Sequence, residues 1–134
     1  MRVILGGETI IDTTRALRVL ETSHPPTFYL PREDVLEGAL APASGASFCE
    51  WKGHASYLDL VGGGVTAARA AWFYPDPAPA MAVLDGHISL YPGRVDACLV
   101  DDERVRPQDG GFYGGWITEE IVGPFKGAPQ TRGW

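Results

Sequence analysis

The sequence lacks several features that commonly reveal a function. No apolar run reaches the roughly 18 residues that a membrane span needs. No Cys-x-x-Cys, His-x-His or His-x-x-x-His spacing offers a set of metal ligands. Neither Gly-x-Gly-x-x-Gly nor Gly-x-x-x-x-Gly-Lys occurs, so no phosphate-binding loop is recognisable. We therefore expect no metal and no cofactor, and no insertion into a membrane.

Positive charge is also scarce. Lys and Arg number 11 against 17 Asp and Glu, which leaves a net charge of -6. Because a phosphate backbone is bound by clustered Lys and Arg, we expect no nucleic-acid partner. The acidic N-terminus does not resemble a signal peptide, so the expected location is cytoplasmic. Cysteine is rare too, and in a reducing compartment Cys49 and Cys98 are not expected to form a disulfide.

Glycine and proline, by contrast, are abundant, with 17 and 11 residues among 134. They divide the chain into short segments, which favours strands over long helices. A hairpin is predicted around Gly6-Gly7, since two glycines supply the positive φ angles of a tight turn. Short helical turns are predicted within 31–36 and 80–84, and a loop over 39–46. The other predicted strands are 17–21, 27–30, 47–51, 55–61, 65–74, 87–91 and 95–100.

These segments predict a mainly β single domain, built of two antiparallel sheets or a small open barrel with one or two short helices. Residues 1–104 are expected to form this domain. Residues 105–134 are rich in glycine and aromatics, and we expect them to form a C-terminal arm packed on the domain.

Several segments, taken together, resemble a known bacterial family. They are Gly7–Thr13, Arg15–Glu21, Pro26–Pro31, Cys49–Tyr57, Ala71–Pro77 and Arg94–Asp96. In this order and spacing they resemble domain of unknown function 427, over about residues 2 to 100. The resemblance implies a β-tent-like architecture of two sheets meeting at an angle. In the family pattern a proline usually follows the cysteine, whereas this chain has Glu50.

The family has also carried the label of a nucleotidyltransferase, which the residues do not support. Such enzymes hold Mg²⁺ with clustered carboxylates, typically Asp-x-Asp, beside a Gly-Ser phosphate turn. Here Asp101 and Asp102 are adjacent, and Gly6-Gly7 is better explained as a hairpin turn. Relatives of this architecture often carry zinc knuckles, but the chain has no Cys-x-x-Cys for one.

The densest chemistry lies in Phe48–Tyr57, which carries a thiol, a carboxylate, an amine and an imidazole. Lys52 would lower the pKa of the Cys49 thiol if the two met. Residues three apart on a regular strand point to opposite faces, so they meet only if the backbone bends between them. Otherwise Cys49 is a buried structural cysteine and Lys52 an exposed lysine. With the bend, Lys52 could bind an anion or a carbonyl group.

Aromatic residues surround this stretch in sequence. Trp51, Tyr57, Trp72, Tyr74 and Tyr91 come from four predicted strands, so they form either core or a cage for an apolar or cationic ligand. Arg18 could bind an anion, and Asp96 could orient Lys52 or Arg18. The candidate ligand-binding residues are Arg18, Cys49, Trp51, Lys52, Tyr57, Trp72, Tyr74 and Asp96, and the candidate catalytic residues are Cys49 and Lys52.

Three functional hypotheses follow from these residues. The first is binding of a small molecule in an aromatic-lined cleft near Cys49–Gly53. The second is a group-transfer or hydrolytic enzyme that uses Cys49 or Lys52 in the same cleft. The third is a protein-interaction module that uses the aromatic segment Phe112–Trp116. The sequence leaves open whether the protein is an enzyme and whether it forms a homodimer.

Overall fold

The fold is taken from a computed structural model that describes residues 1–20, 26–49, 53–107 and 115–118, without the side chains at 44–49, 53 and 80. Strands dominate these residues, which confirms the predicted mainly β class. They are β1 (Arg2–Leu5), β2 (Glu8–Asp12), β3 (Leu17–Val19), β4 (Thr27–Pro31), β5 (Leu40–Cys49), β6 (Gly53–Gly62), β7 (Val65–Phe73), β8 (His87–Leu90), β9 (Ala97–Val100), β10 (Glu103–Arg104), β11 (Arg106–Pro107) and β12 (Trp116–Ile117).

Helical structure in the described residues is limited to three short 3-10 segments, Arg32–Asp34, Pro79–Leu84 and Pro92–Arg94. Two of them have proline at the start, where its missing N–H leaves no helical hydrogen bond unmade. The first two match the short helical turns that the sequence predicts. No helix in the described part of the chain has the length and apolarity to cross a membrane.

The strands form three antiparallel sheets, and none of them closes into a barrel within the described residues. The four-stranded sheet has the order β10-β9-β1-β2, and the small sheet pairs β11 with β12. The six-stranded sheet has the order β3-β4-β8-β7-β6-β5, so β5 lies at one edge. The predicted hairpin is confirmed, since β1 and β2 pair across Gly6 and Gly7, both at positive φ.

The prediction of a loop over residues 39–46 is wrong, because β5 spans Leu40–Cys49 and pairs with β6 on both sides of an irregularity between Pro42 and Ala46. Small residues, serine and proline are weak strand formers, so local propensity favours a loop here. Pairing with β6 overrides that preference. Pro42 is tolerated because β5 is an edge strand, and the register shifts between Pro42 and Ala46.

Both faces of the six-stranded sheet are covered by apolar side chains. The main core lies between this sheet and the four-stranded one, and includes Val3, Ile10, Leu60 and Leu90, all fully buried. A second, largely aromatic cluster lies on the opposite face. The alternation along β7 shows the division: Ala71 and Phe73 belong to the main core, whereas Trp72 and Tyr74 belong to the second cluster.

Candidate functional site

The aromatic cluster on the outer face of the six-stranded sheet is the candidate site. Its rings come from neighbouring strands, because Tyr57 of β6 is paired with Trp72 of β7, and Trp72 with Ser89 of β8. Residues opposite each other in antiparallel strands share a face, so these three side chains form a row across the sheet. The buried members of the cluster are Tyr29, Ala55, Tyr57, Trp72, Tyr74, Leu84 and Tyr91.

Ring contacts hold the cluster in a fixed arrangement. The centroid of Trp72 lies 4.6 Å from that of Tyr91 and 6.4 Å from that of Tyr29, with Tyr29 edge-on. Tyr74 packs against Tyr29 at 6.3 Å. The indole Nε1 of Trp72 donates a hydrogen bond of 3.4 Å to the Tyr29 hydroxyl. Tilted and edge-to-face pairs of this kind each contribute about 0.5–1.5 kcal/mol beyond the apolar area that they bury.

The cluster is not completely enclosed. Tyr57, Trp72, Tyr74 and Tyr91 keep 7–9% of their surface exposed, whereas the large side chains at the centre of the main core are almost completely enclosed. A small part of each of these four side chains is therefore accessible to solvent.

Ser89 adds a hydroxyl group to the same face of the sheet. Ile88 and Leu90 on either side belong to the main core, so Ser89 alternates to the aromatic face. It is fully buried, and its Oγ has no hydrogen-bond partner within the described residues. A buried hydroxyl without a partner costs about 1–3 kcal/mol. The chain thus keeps a polar atom on an aromatic face where an apolar side chain would be more stable.

Two arginines stack on the rings at the rim. The guanidinium carbon of Arg69 lies 4.5 Å from the ring centroid of Tyr57, and that of Arg94 lies 4.2 Å from the centroid of Tyr91. Arg94 also donates a hydrogen bond of 2.8 Å from Nη1 to the backbone oxygen of Arg69. Two arginine side chains therefore lie at the rim of the aromatic face, and the guanidinium of Arg94 is hydrogen-bonded to the backbone of Arg69.

A bulge in β7 positions Arg69. Leu58 pairs with Ala71 and Leu60 with Ala67, so Asp59 alone stands against three residues of β7. Arg69 lies within this bulge at φ 51°, in the left-handed region, which costs a residue with a side chain about 1–2 kcal/mol. Its N–H donates a 2.8 Å hydrogen bond to Asp59 Oδ1. Bulges of this kind redirect a side chain.

The phenols of Tyr57 and Tyr91 are linked electrostatically. Burial, together with the charge and hydrogen bond of Tyr57, raises the pKa of Tyr91 to about 12 against the opposing charge of Arg94. Tyr91 therefore stays neutral at physiological pH. At physiological pH this face therefore offers the neutral hydroxyl of Tyr91 beside the charges of Arg69 and Arg94.

Three of the predicted site residues come together in this cluster, namely Tyr57, Trp72 and Tyr74. Two others lie elsewhere. Arg18 is paired with Phe28, whose ring packs on Trp116 of the main core, so Arg18 lies on the opposite face of the sheet. Asp96 accepts a 3.0 Å hydrogen bond from the N–H of Gly7, which ties it to the turn between β1 and β2.

The remaining predicted residues are only partly described. Cys49 ends β5 and is paired with Gly53 at the start of β6, so the chain reverses direction between them. The prediction that Cys49 and Lys52 cooperate depends on residues 50–52, which lie outside the described part of the chain. The Cys49 side chain lies outside the described part of the structure, as do Trp51 and Lys52. The segment leads directly into Ala55 and Tyr57 of the cluster.

Sequence reasoning missed four residues of the site. Tyr29 could have been found, because it alternates with Leu30 in a predicted strand and so had to face either the core or the cluster. Ser89 could have been found by the same alternation within 87–91. No sequence signal marked Arg69, whose position depends on a bulge. Arg94 lies in the family-like segment Arg94–Asp96, but its place at the rim depends on a short 3-10 turn that the sequence did not predict.

A separate cleft of about 440 Å³ opens elsewhere on the surface, lined in part by Arg15, Arg32, Glu33, Asp85 and His87. Arg15 already forms ion pairs with Glu33 at 2.9 Å and with Asp34 at 2.8 Å. Part of the charge that lines this cleft is therefore paired internally. No group of three or more metal-ligating side chains occurs in the described residues, here or elsewhere.

Comparison with known proteins supplies the family but no function. No curated protein matches the sequence. A family model described as a domain of unknown function, DUF427, matches residues 1–101, and thus covers every residue of the aromatic cluster. The chain belongs to the DUF427 family.

Proposed function

We propose that the protein binds a small molecule that carries a planar ring, on the aromatic face formed by Tyr57, Trp72, Tyr74 and Tyr91. The observation that supports this most is that four rings of one cluster each keep 7–9% of their surface exposed, on the face that also carries the fully buried Ser89 hydroxyl, which has no partner in the described structure. A planar ligand would contact the exposed parts of these rings. Ligand sites typically combine aromatic walls with a few polar groups in this way.

The cluster differs from an ordinary core in its composition. A layer that serves only to cover a sheet is most stable when it is apolar, because every buried polar atom has to be paired. This face instead holds tyrosine hydroxyls, an indole N–H and the Ser89 hydroxyl, with two arginines at the rim. A face with these polar groups is better suited to binding a ligand than to covering the sheet.

The chain provides its own control for a binding test. Trp72 belongs to the aromatic site, whereas Trp116 is fully buried in the main core on the other side of the sheet. In protein labelled with 5-fluorotryptophan, planar aromatic fragments should shift the ¹⁹F resonance of Trp72 and leave that of Trp116 in place. The chain has four tryptophans, so replacing Trp72 and Trp116 in turn by phenylalanine identifies their two signals among the four.

Tyr91→Leu should then weaken fragment binding about 2- to 10-fold, because it removes one ring contact while keeping apolar bulk. Fragments that shift Trp116 as much as Trp72, or that bind the Tyr91→Leu protein with unchanged affinity, would place binding elsewhere. If no fragment shifts Trp72, the aromatic face is core and the proposal is wrong.

A further inference from the structure

We infer that the ligand of this face is an anion, a planar ring bearing a carboxylate or phosphate group, and that Arg69 binds the anionic group. The inference rests on the proposed function, since it specifies the chemistry of a ligand at the same site. Arg69 would then determine which ligands bind, a role that its place in β7 does not by itself require.

The backbone at Arg69 is the first argument. A residue at φ 51° is most stable as glycine, and this chain uses glycine at positive φ in the turns between β1 and β2 and between β6 and β7. Asp101 and Asp102 also have positive φ, but they form the exposed turn between β9 and β10, and Asp is one of the residues that tolerate this region. At Arg69 the chain instead keeps a long side chain in the unfavourable region. Strained positions of this kind are concentrated at ligand-binding sites, where the side chain is needed in one place.

The bulge is fixed on both sides of Arg69. Asp59 Oδ1 accepts the hydrogen bond from the Arg69 N–H, and Arg94 donates to the Arg69 carbonyl oxygen, both at 2.8 Å. The Asp59 carboxylate therefore binds the backbone of Arg69 and forms no ion pair with its guanidinium. Two side chains thus hold the strained peptide in place, so the guanidinium is presented from a rigid element.

The positive charge of the Arg69 guanidinium is available to a ligand. Within the described residues it forms no ion pair, in contrast to Arg2 with Asp102 and Arg15 with Asp34. It stacks on Tyr57 through its face, which leaves the N–H groups along its edge free to point at an anion. A carboxylate or phosphate accepts two of these N–H groups in parallel, which is the strongest form of such contacts.

The position of the charge also matches a planar ligand. Arg69 lies over Tyr57 and Arg94 over Tyr91, so the positive charges border the rings on which a ligand ring would stack. A ring in contact with Trp72 and Tyr91 would therefore carry its anionic group towards these arginines. The chain as a whole has a net charge of -6, so an anion is attracted by this rim and not by the molecule in general.

A matched series of ring compounds tests the inference. We would titrate the full chain by calorimetry with 2-naphthoate, with its neutral analogue 2-naphthamide, and with 2-naphthylmethylammonium. The wild type should bind the naphthoate at least 10-fold more tightly than either of the others, because one charge-assisted hydrogen bond accounts for a factor of that size. Arg69→Gly should lose this preference and bind the three compounds about equally.

Arg69→Gly is informative because glycine suits φ 51°, so the thermal unfolding midpoint should stay the same or rise. Arg32→Gln is the matched control. Arg32 stacks at 4.3 Å on Phe73, which packs against the main core, so its loss should leave the naphthoate preference intact.

The outcomes separate the two proposals. If the amide or the ammonium compound binds as tightly as the naphthoate, or if Arg69→Gly keeps the preference, the ligand is not selected by Arg69 and the inference fails while the aromatic site stands. If none of the three compounds binds the wild type, the site itself is refuted, and the inference with it.

Discussion

Cys98 shows how strongly a single position is determined by its surroundings. It lies in β9 opposite Val3 of β1 and is 1% exposed in the main core. Burial raises the pKa of its thiol to about 12, so at neutral pH the thiol is protonated. The reactive form of cysteine is the thiolate, and Cys98 is therefore a core residue and no nucleophile.

This pKa shift predicts a loss of stability at alkaline pH. In the unfolded chain the thiol loses its proton near its ordinary pKa of 9.0, whereas in the folded protein it keeps the proton up to about pH 12. Between these values the folded state binds more protons, so the free energy of unfolding falls as pH rises, by up to about 1.4 kcal/mol per pH unit. Cys98→Ala lacks this dependence.

We therefore expect Cys98→Ala to be less stable than the wild type at pH 8, by about 1–2 kcal/mol, and the difference to shrink or reverse by pH 10.5. Urea denaturation at the two pH values measures it. Because Tyr91 titrates in both proteins, its contribution cancels in the comparison. A difference that is the same at both pH values would mean that the Cys98 thiol is not shielded from ionisation.

Two hairpin turns meet where the four-stranded and six-stranded sheets join. Gly6 lies in the turn between β1 and β2, and Gly63 in the turn between β6 and β7. A Cβ atom at Gly6 would collide with the carbonyl oxygen of Gly62, and one at Gly63 with that of Gly6. Glu8 adds a hydrogen bond of 3.1 Å from the Gly63 N–H to its Oε1. The sheets are therefore joined backbone to backbone.

The neighbouring glycines separate the cost of this contact from that of the turn. Gly7 and Gly64 also have positive φ, at 78° and 79°, but a Cβ at either position would meet no atom within 4 Å. We expect Gly64→Ala to cost about 1 kcal/mol, from backbone strain alone. Gly63→Ala should cost more than about 3 kcal/mol, because the turns have to separate as well.

Denaturant unfolding of the two variants gives the comparison, and Gly7→Ala against Gly6→Ala repeats it on the other turn. Equal losses for Gly63→Ala and Gly64→Ala would show that the two turns can move apart without cost.

The same elements show what the sequence could and could not predict. The turns at Gly6-Gly7 and Gly62–Gly64 were predictable because tight hairpins need positive φ, which glycine supplies. Strand β5 was not, because its alanines, serines and proline have low strand propensity and are held by pairing with β6. The bulge at Arg69 could not be predicted from the sequence either, since it depends on the register between β6 and β7.

For the candidate site, sequence reasoning found the rings but not the charges. Tyr57, Trp72 and Tyr74 were predictable because aromatic residues on predicted strands were expected around one core. Arg18 and Asp96 were also candidates, but strand pairing places Arg18 on the opposite face of the sheet, and a hydrogen bond from Gly7 ties Asp96 to the turn between β1 and β2. Arg69 and Arg94 complete the rim through tertiary contacts to each other, which no local pattern encodes.

At the scale of the whole molecule, a residue beyond the family match completes the core. The DUF427 match ends at residue 101, yet Trp116 is fully buried in the main core. Its N–H donates to the carbonyl oxygen of Pro26 at 2.8 Å, and its indole Nε1 to that of Leu90 at 3.3 Å. Since Trp116 is enclosed, it cannot belong to an exposed interaction surface of the predicted arm.

We accordingly predict that a chain ending at residue 104 is much less stable than the full chain. Removing a buried tryptophan side chain costs about 3–5 kcal/mol, a large part of the stability of a domain this size. Trp116→Ala should cause a loss of that size by itself, and truncation at least as much. Leu20→Ala is the matched control, because Leu20 is 65% exposed and its loss should change stability by less than about 0.5 kcal/mol.

Urea denaturation of the four proteins decides between two views of the C-terminal segment. If the truncated chain unfolds at the same urea concentration as the full chain, residues 1–104 fold as an independent unit and Trp116 only rests on them. If truncation and Trp116→Ala lower the midpoint together, the folding unit extends beyond the family match. The second result is expected, because Trp116 packs on Phe28 and bonds to Leu90, which lie on two neighbouring strands of the six-stranded sheet.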